Sequence, residues 1–240
     1  MAAGVRVSAV DPAGQHNPAP LAESVEDAAV HADLVLALGS TAAAGRAAGQ
    51  IAPLMKAGAV YADLTTGTPA TKRKLAELFA DGSFADVAII AQQTGPAADV
   101  SLAAAGTGAR KFIELLGPAG VAVEYISEVP GDAAARGILR SVLDKSLAAA
   151  IIDFLWAAES LGQKDWAYQE ILQEFTTSSA ETAQGYLSDT AKNFKRRQME
   201  LMDALEALRE AGYESTMAAP IDFTYGSLMH GKKIPFSKPK

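Results

Sequence analysis

The 240 residues carry 21 basic and 28 acidic side chains for a net charge of −7, with 49% hydrophobic and 20% charged residues. That balance describes a globular chain long enough to bury a core and excludes a disordered one. The acidic sign, with no basic stripe, speaks against nucleic acid or an anionic membrane surface as partner. The absence of cysteine removes disulfide and thiolate chemistry and fits a reducing cytoplasm.

In chain order, Val5 to Asp11 reads as a buried strand ending in an acidic residue. Asp33–Leu38, Val60–Leu64 and Asp86–Ala91 read as further apolar strands, with helical patterns between them at Ser24–Ala32, Thr41–Lys56 and Ala70–Phe79. Buried apolar runs separated by helices predict a parallel sheet covered on both faces. Ser101–Ala105 and Val121–Tyr125 predict two more strands flanking a helix over Ala109–Leu116. After Pro130-Gly131 the pattern becomes entirely helical. Asp132 is expected to cap a helix running to about Leu161, with Gly162 as its stop. Ile138, Leu139, Val142, Leu143, Leu147, Ile151, Phe154, Leu155 and Ala158 keep helical spacing along it. Helices are expected again at Trp166–Phe175, Ala180–Leu187, Asn193–Ala211 and Met217–Met229. The longest apolar stretch, Leu147–Ala158, is interrupted by Asp153 and is too short to span a membrane.

An open parallel sheet binds ligands beyond the carboxyl ends of its strands, so the polar residues there are the first site candidates. Asp11 stands where a dinucleotide-binding sheet places the carboxylate that accepts from the adenosine ribose hydroxyls, and a carboxylate there favours NAD over NADP. In that arrangement a first strand and a glycine-rich phosphate turn, roughly 25 residues of a ~30-residue unit, precede Val5. The chain starts without them, so the expectation is a partial Rossmann-type sheet with two strand edges facing a gap, and weak dinucleotide binding. Gly39 and Ser40 follow the Asp33–Leu38 strand, where Gly39 permits close backbone approach and Ser40 or Thr41 can cap the next helix. Thr65 and Thr66 follow Val60–Leu64, while Thr68-Pro69 is a standard helix opening. Gln92, Gln93 and Thr94 follow Asp86–Ala91, either to orient a carboxylate or hydroxyl substrate or as a plain polar turn.

On the long helix, Ser141 and Lys145 are four apart and flank the apolar stripe. A lysine so placed either donates a proton to a substrate carbonyl as hydride arrives or is simply solvated. Gly137 is costly inside a helix, by about 1 kcal/mol against alanine, and marks close approach of a ligand or a neighbouring element. His16, His31 and His230 lack metal-ligand spacing, so no metal is expected.

The ordered series Ala32–Leu38, Ala62-Asp63-Leu64-Thr65-Thr66-Gly67-Thr68-Pro69-Ala70-Thr71-Lys72, Phe84–Ala88, Ala105–Ala109 and Gly131–Arg136 running into Leu139-Arg140-Ser141 resembles the β-hydroxyacid dehydrogenases. That group contains 3-hydroxyisobutyrate and 6-phosphogluconate dehydrogenases, and the chain is most similar to a phosphogluconate-dehydrogenase-like branch with a distinctive helical C-terminal domain. The resemblance implies an α/β fold in which an incomplete Rossmann-type dinucleotide-binding domain over residues 1–130 precedes an all-α substrate and dimerisation domain over 131–240. It implies hydride transfer between NAD or NADP and a small hydroxy acid, carbonyl or imine, in a cytoplasmic homodimer. Gly39, Ser40, Thr65 and Thr66 then line the cofactor, with Thr66 nearest the nicotinamide, and Gln92, Gln93, Thr94 and Gly137 face the substrate. The family's catalytic lysine, six residues after the helix-opening glycine, falls on Gly137. Lys145 is eight residues further on and rotated by about 80°, so it replaces that acid only in a different cleft geometry, with Ser141 at a polar substrate-facing position. A non-catalytic dimeric scaffold is the rival expectation, favoured by Gly137 and by the missing phosphate turn.

Overall fold

The computed structural model describes residues 5–10, 22, 24–90 and 101–237. The chain divides into two compact units, residues 1–142 and 143–240.

The first unit is built on one sheet of β1 (Leu34–Ala37), β2 (Val60–Asp63), β3 (Phe84–Ile89), β4 (Ser101–Ala105) and β5 (Ala122–Ser127), in that spatial order. The pairs β1–β2, β2–β3 and β4–β5 are parallel, as the sequence pattern predicts. β3 and β4 are instead antiparallel. Residues 90–100 connect them, fewer than the dozen or more a parallel crossover takes. Helices α1 (Val25–Ala29), α2 (Thr41–Ile51), α3 (Pro69–Ala76) and α4 (Ala109–Leu116) lie against the sheet. Strand alternation sends Val60, Ala62, Ala85 and Val87 to a cluster with Ala109 and Phe112 of α4. The intervening Tyr61 and Phe84 pack with Ala29 of α1, Ala44 and Ala48 of α2 and Leu75 of α3.

Residues 5–10 do not join this sheet, contrary to the strand expected there. Ala9 forms an isolated bridge, its carbonyl accepting from the Ala22 amide at 2.8 Å. Val5, Val7 and Val10 are 41%, 55% and 38% exposed, so they are not core residues. β-Branched alternation signals compatibility with a pleated surface and does not supply a pairing partner. β1 is therefore one edge strand of the sheet among the described residues, with β5 at the other edge.

A long helix, α5 (Asp132–Ser160), runs across the division between the units. The change of element type near residue 130 precedes the division at 142 because the start of α5 belongs to the sheet. Ala133 is fully buried beside Ala88, Ala103 and Ala105. A Cβ on Gly137 would stand 3.1 Å from the Ala88 Cβ, so the absent side chain is what lets α5 lie against β3. Gly131, just before the helix, has φ +102° and its Cβ would meet the Pro69 carbonyl oxygen at 2.8 Å. Gly131→Ala is expected to lower stability by about 3 kcal/mol, from left-handed strain plus a backbone collision, as read by urea unfolding.

The second unit continues with α6 (Lys164–Thr177), α7 (Ala180–Glu210) and α8 (Ala218–Met229). The two helices expected over 180–211 follow one another within α7, divided by a kink at Asn193, whose backbone leaves helical geometry (φ −120°, ψ 15°). The Asn193 side-chain amide donates to Asp189 at 2.6 Å there. Asp153 of α5 is the buried polar centre of this unit. Its Oδ1 accepts from the Tyr213 hydroxyl at 2.7 Å, the Thr216 amide at 2.7 Å and the Thr216 hydroxyl at 2.8 Å, and its Oδ2 from Ser215 at 2.7 Å. One carboxylate thus fixes the connection between α7 and α8. No helix among the described residues is long and apolar enough to cross a membrane.

Candidate functional site

Asp63 ends β2 and Asp86 lies opposite it on β3; both are fully buried. A buried carboxylate needs a cation or a full set of donors. Lys72 supplies the cation from α3 and is only 1% exposed. Its Nζ donates to the Asp63 carboxylate at 3.0 Å, the Asp63 carbonyl at 3.0 Å and the Thr65 carbonyl at 2.8 Å. Those three bonds use all three ammonium protons. Asp86 Oδ1, at 3.4 Å from Nζ, receives charge pairing without a hydrogen bond among the described residues. Its Oδ2 accepts from the Gly131 and Ala134 amides at 3.0 and 2.9 Å.

Those two amides are the ones a capping box satisfies, so Asp86 caps α5 from another strand. The expected cap, Asp132, instead accepts the Ser127 hydroxyl at 2.6 Å. Burial pushes the Asp86 carboxyl above the usual carboxylate range, against the pull of the Ala134 and Gly131 amides and of Lys72. Burial also raises the Tyr61 phenol, with the Asp63 charge adding to it.

The carboxyl ends of β1 and β2 lie just beyond this cluster. Ala37 pairs with Asp63, and the Leu64 amide donates to the Ala37 carbonyl at 2.9 Å, so the turns after β1 and β2 start side by side. Gly39 takes φ +132° and Ser40 is the N-cap residue of α2, yet the Ser40 side chain makes no capping bond. Its exposed hydroxyl is uncommitted to the helix, contrary to the capping role open to it. Thr68 does cap α3, accepting from the Thr71 amide at 3.2 Å. Thr65 is buried, its amide donating to Asp63 Oδ1 at 3.0 Å, and Thr66 is exposed beside it.

The structure thus brings Gly39, Ser40, Thr65 and Thr66 to neighbouring strand ends. Asp11, Gln92, Gln93 and Thr94 lie outside the described residues. Gly137 touches Ala88 of β3, Ser141 is half-buried on α5, and Lys145 on the same helix is exposed. Sequence reasoning passed over Lys72. The available signal was two carboxylates within apolar strands, with Lys72 the first cation after Asp63.

No protein-family model matches this chain. A curated relative, the uncharacterized 28.5 kDa protein in the 7S RNA 5′ region of Methanothermus fervidus, is 32% identical over 115 residues, 48% of this chain. The chain spans less than half of that relative, 44% of its length. Among solved structures, a conserved protein described as structurally similar to 3-hydroxyacid dehydrogenases is 26% identical, with a TM-score of 0.53 over 86% of this chain and 78% of that one. A reductive aminase from Aspergillus terreus, solved with NADPH, superposes with a TM-score of 0.70 over 90% of this chain and 80% of its own at 18% identity. The chain has the fold of the β-hydroxyacid dehydrogenase-like proteins. In this dehydrogenase-like fold the sheet and the helical C-terminal region correspond to those of the neighbours, as the ordered motifs imply.

Proposed function

We propose that the chain is an NAD(P)-dependent oxidoreductase of the β-hydroxyacid dehydrogenase type, acting on a small hydroxy acid, carbonyl or imine. The observation that carries this reading is the pair of adjacent parallel strand ends, each opening into a turn with exposed hydroxyls. Ser40 is free of capping duty at the start of α2, and Thr66 stands beside a turn pinned by Lys72. Backbone amides at a helix start and hydroxyls at strand ends suit the anionic and polar parts of a dinucleotide. When bound, that cofactor supplies or accepts the hydride.

On this reading Gly39, Ser40, Thr65 and Thr66 hold the cofactor and Asp11 its ribose. Ser141 orients the substrate, Lys145 holds the transferable proton, and Gln92, Gln93, Thr94 and Gly137 border the substrate. A homodimer is part of the proposal. The helical unit leaves Trp156, Trp166, Phe175 and Phe223 between 50% and 78% exposed, an apolar surface suited to a second copy.

Gly137 favours one alternative, a non-catalytic dimeric scaffold. It occupies the position of the family's lysine, and contact with Ala88 already accounts for its lack of a side chain. An NMR titration separates the two. NADH or NADPH is expected to shift the amides of residues 39–41 and 64–67 in a saturable way. Flat amide positions up to about 10 mM of either nucleotide overturn the oxidoreductase reading and leave the scaffold.

A further inference from the structure

We infer that Lys72 and Asp86 are positioning residues that lock the Thr65–Thr66 turn and the start of α5 into one unit, so that the two shift together. Three observations meet here. Lys72 closes the turn after β2 through the Asp63 and Thr65 carbonyls, and its charge faces Asp86. Asp86 in turn holds the first amides of α5, 45 and 48 residues away in the chain. Independently, Gly131 sits so close to Pro69, the first residue of α3, that no Cβ fits between them. The turn, β3 and the beginning of α5 therefore share one polar junction and one backbone contact.

The charges explain why the junction is linked. With two carboxylates and one ammonium the cluster is formally one negative charge in excess. Asp86 is the carboxylate left without an ammonium hydrogen bond, and the positive end of α5 compensates it. Moving α5 away takes the amide donors from Asp86 and lets its carboxylate swing off, so the Lys72 ammonium loses part of the negative charge that holds it buried at the Thr65 carbonyl. Opening at one end thus loosens the other. The consequence for ligand binding rests on the reading of Thr65–Thr66 as a cofactor contact, whereas the mechanical link does not.

Amide exchange reads the link directly. In Asp86→Asn the Gly131, Ala134 and Thr65 amides are expected to exchange at least about tenfold faster, with those of α4 unchanged. Acceleration at Gly131 and Ala134 alone, with Thr65 unmoved, overturns the inference. Should the variant not fold, the wild-type protein in sub-denaturing guanidinium decides the point. The three amides must open with one free energy and one denaturant slope, and separate openings refute the link.

A titration with whichever of NADH and NADPH shifts the wild-type amides then separates positioning from general loosening. The midpoint is expected to rise about tenfold in Asp86→Asn and to stay within about twofold in Asp153→Asn, which is altered in the other unit. Equal shifts in both variants overturn positioning. A wild-type protein that ignores both NADH and NADPH removes the cofactor reading, and the exchange result still decides the link.

Discussion

Replacing Lys72 with methionine is expected to lower stability by about 3–5 kcal/mol, measured by urea unfolding at neutral pH. The stem of Lys72 is matched in length by methionine, so little packing is lost. What is lost is, among the described residues, the only cation paired with Asp63 and Asp86, both fully buried. An ion pair in such a place has little net worth, but removing one partner strands a desolvated charge. Adding Asp86→Asn to Lys72→Met leaves one uncompensated carboxylate in place of two, so the double variant is expected to be less destabilised than the two single losses summed. The Lys72→Met protein is also expected to gain stability on acidification, because its stranded carboxylates take up protons more readily folded than unfolded. A loss under about 1 kcal/mol would show that water reaches this cluster and solvates it.

Asp153→Ala is expected to cost about 3–4 kcal/mol, since four donors to one buried carboxylate lose their acceptor. The wild-type network should also be acid-labile. Burial pushes the Asp153 carboxyl up, but the bonds from Ser215, Tyr213 and Thr216 outweigh it and hold the group below the usual carboxylate range. A folded-state pKa below the unfolded value near about 4 means the unfolded chain binds protons first as pH falls. The stabilisation is therefore complete above about pH 5 and is lost as pH drops through the folded value. Tyr213, pushed up to about 12 by burial and by Asp153, stays a donor throughout that range. Melting temperatures between about pH 6 and pH 2 should fall more steeply for wild type than for Asp153→Asn, and parallel curves would exclude this role.

Much of the architecture was legible because local rules decide it. The helices from Ala109 and Asp132 begin where the pattern places them, and α3 opens on its Thr68-Pro69 cap. Three strand runs became β1, β2 and β3 because continuous apolar runs between helices have few other uses. The antiparallel direction of β4 is not legible from periodicity, which carries no orientation; only the shortness of the link from β3 bears on it. The valines at residues 5–10 were misplaced because strand propensity does not name a neighbour.

At the site, the turns at Gly39–Ser40 and Thr65–Thr66 were readable from strand ends plus hydroxyls, and the register of β1 on β2 sets them side by side. Lys72 was not readable as a buried residue, since a lysine in a short polar helix has the signature of a solvated one. Only the pairing of β2 with β3, which brings two acids together, requires its charge inside.

The borrowed cap of α5 has a consequence for the order in which the chain assembles. Most helices can begin folding with groups a few residues away, but the first amides of this one wait for an acceptor 45 to 48 residues upstream. The opening turn of α5 is thus high in contact order while its remainder is local, so that turn should close only after β2 and β3 have paired. Nucleation of the long helix belongs to its later turns, and its entry point is among the last features to set.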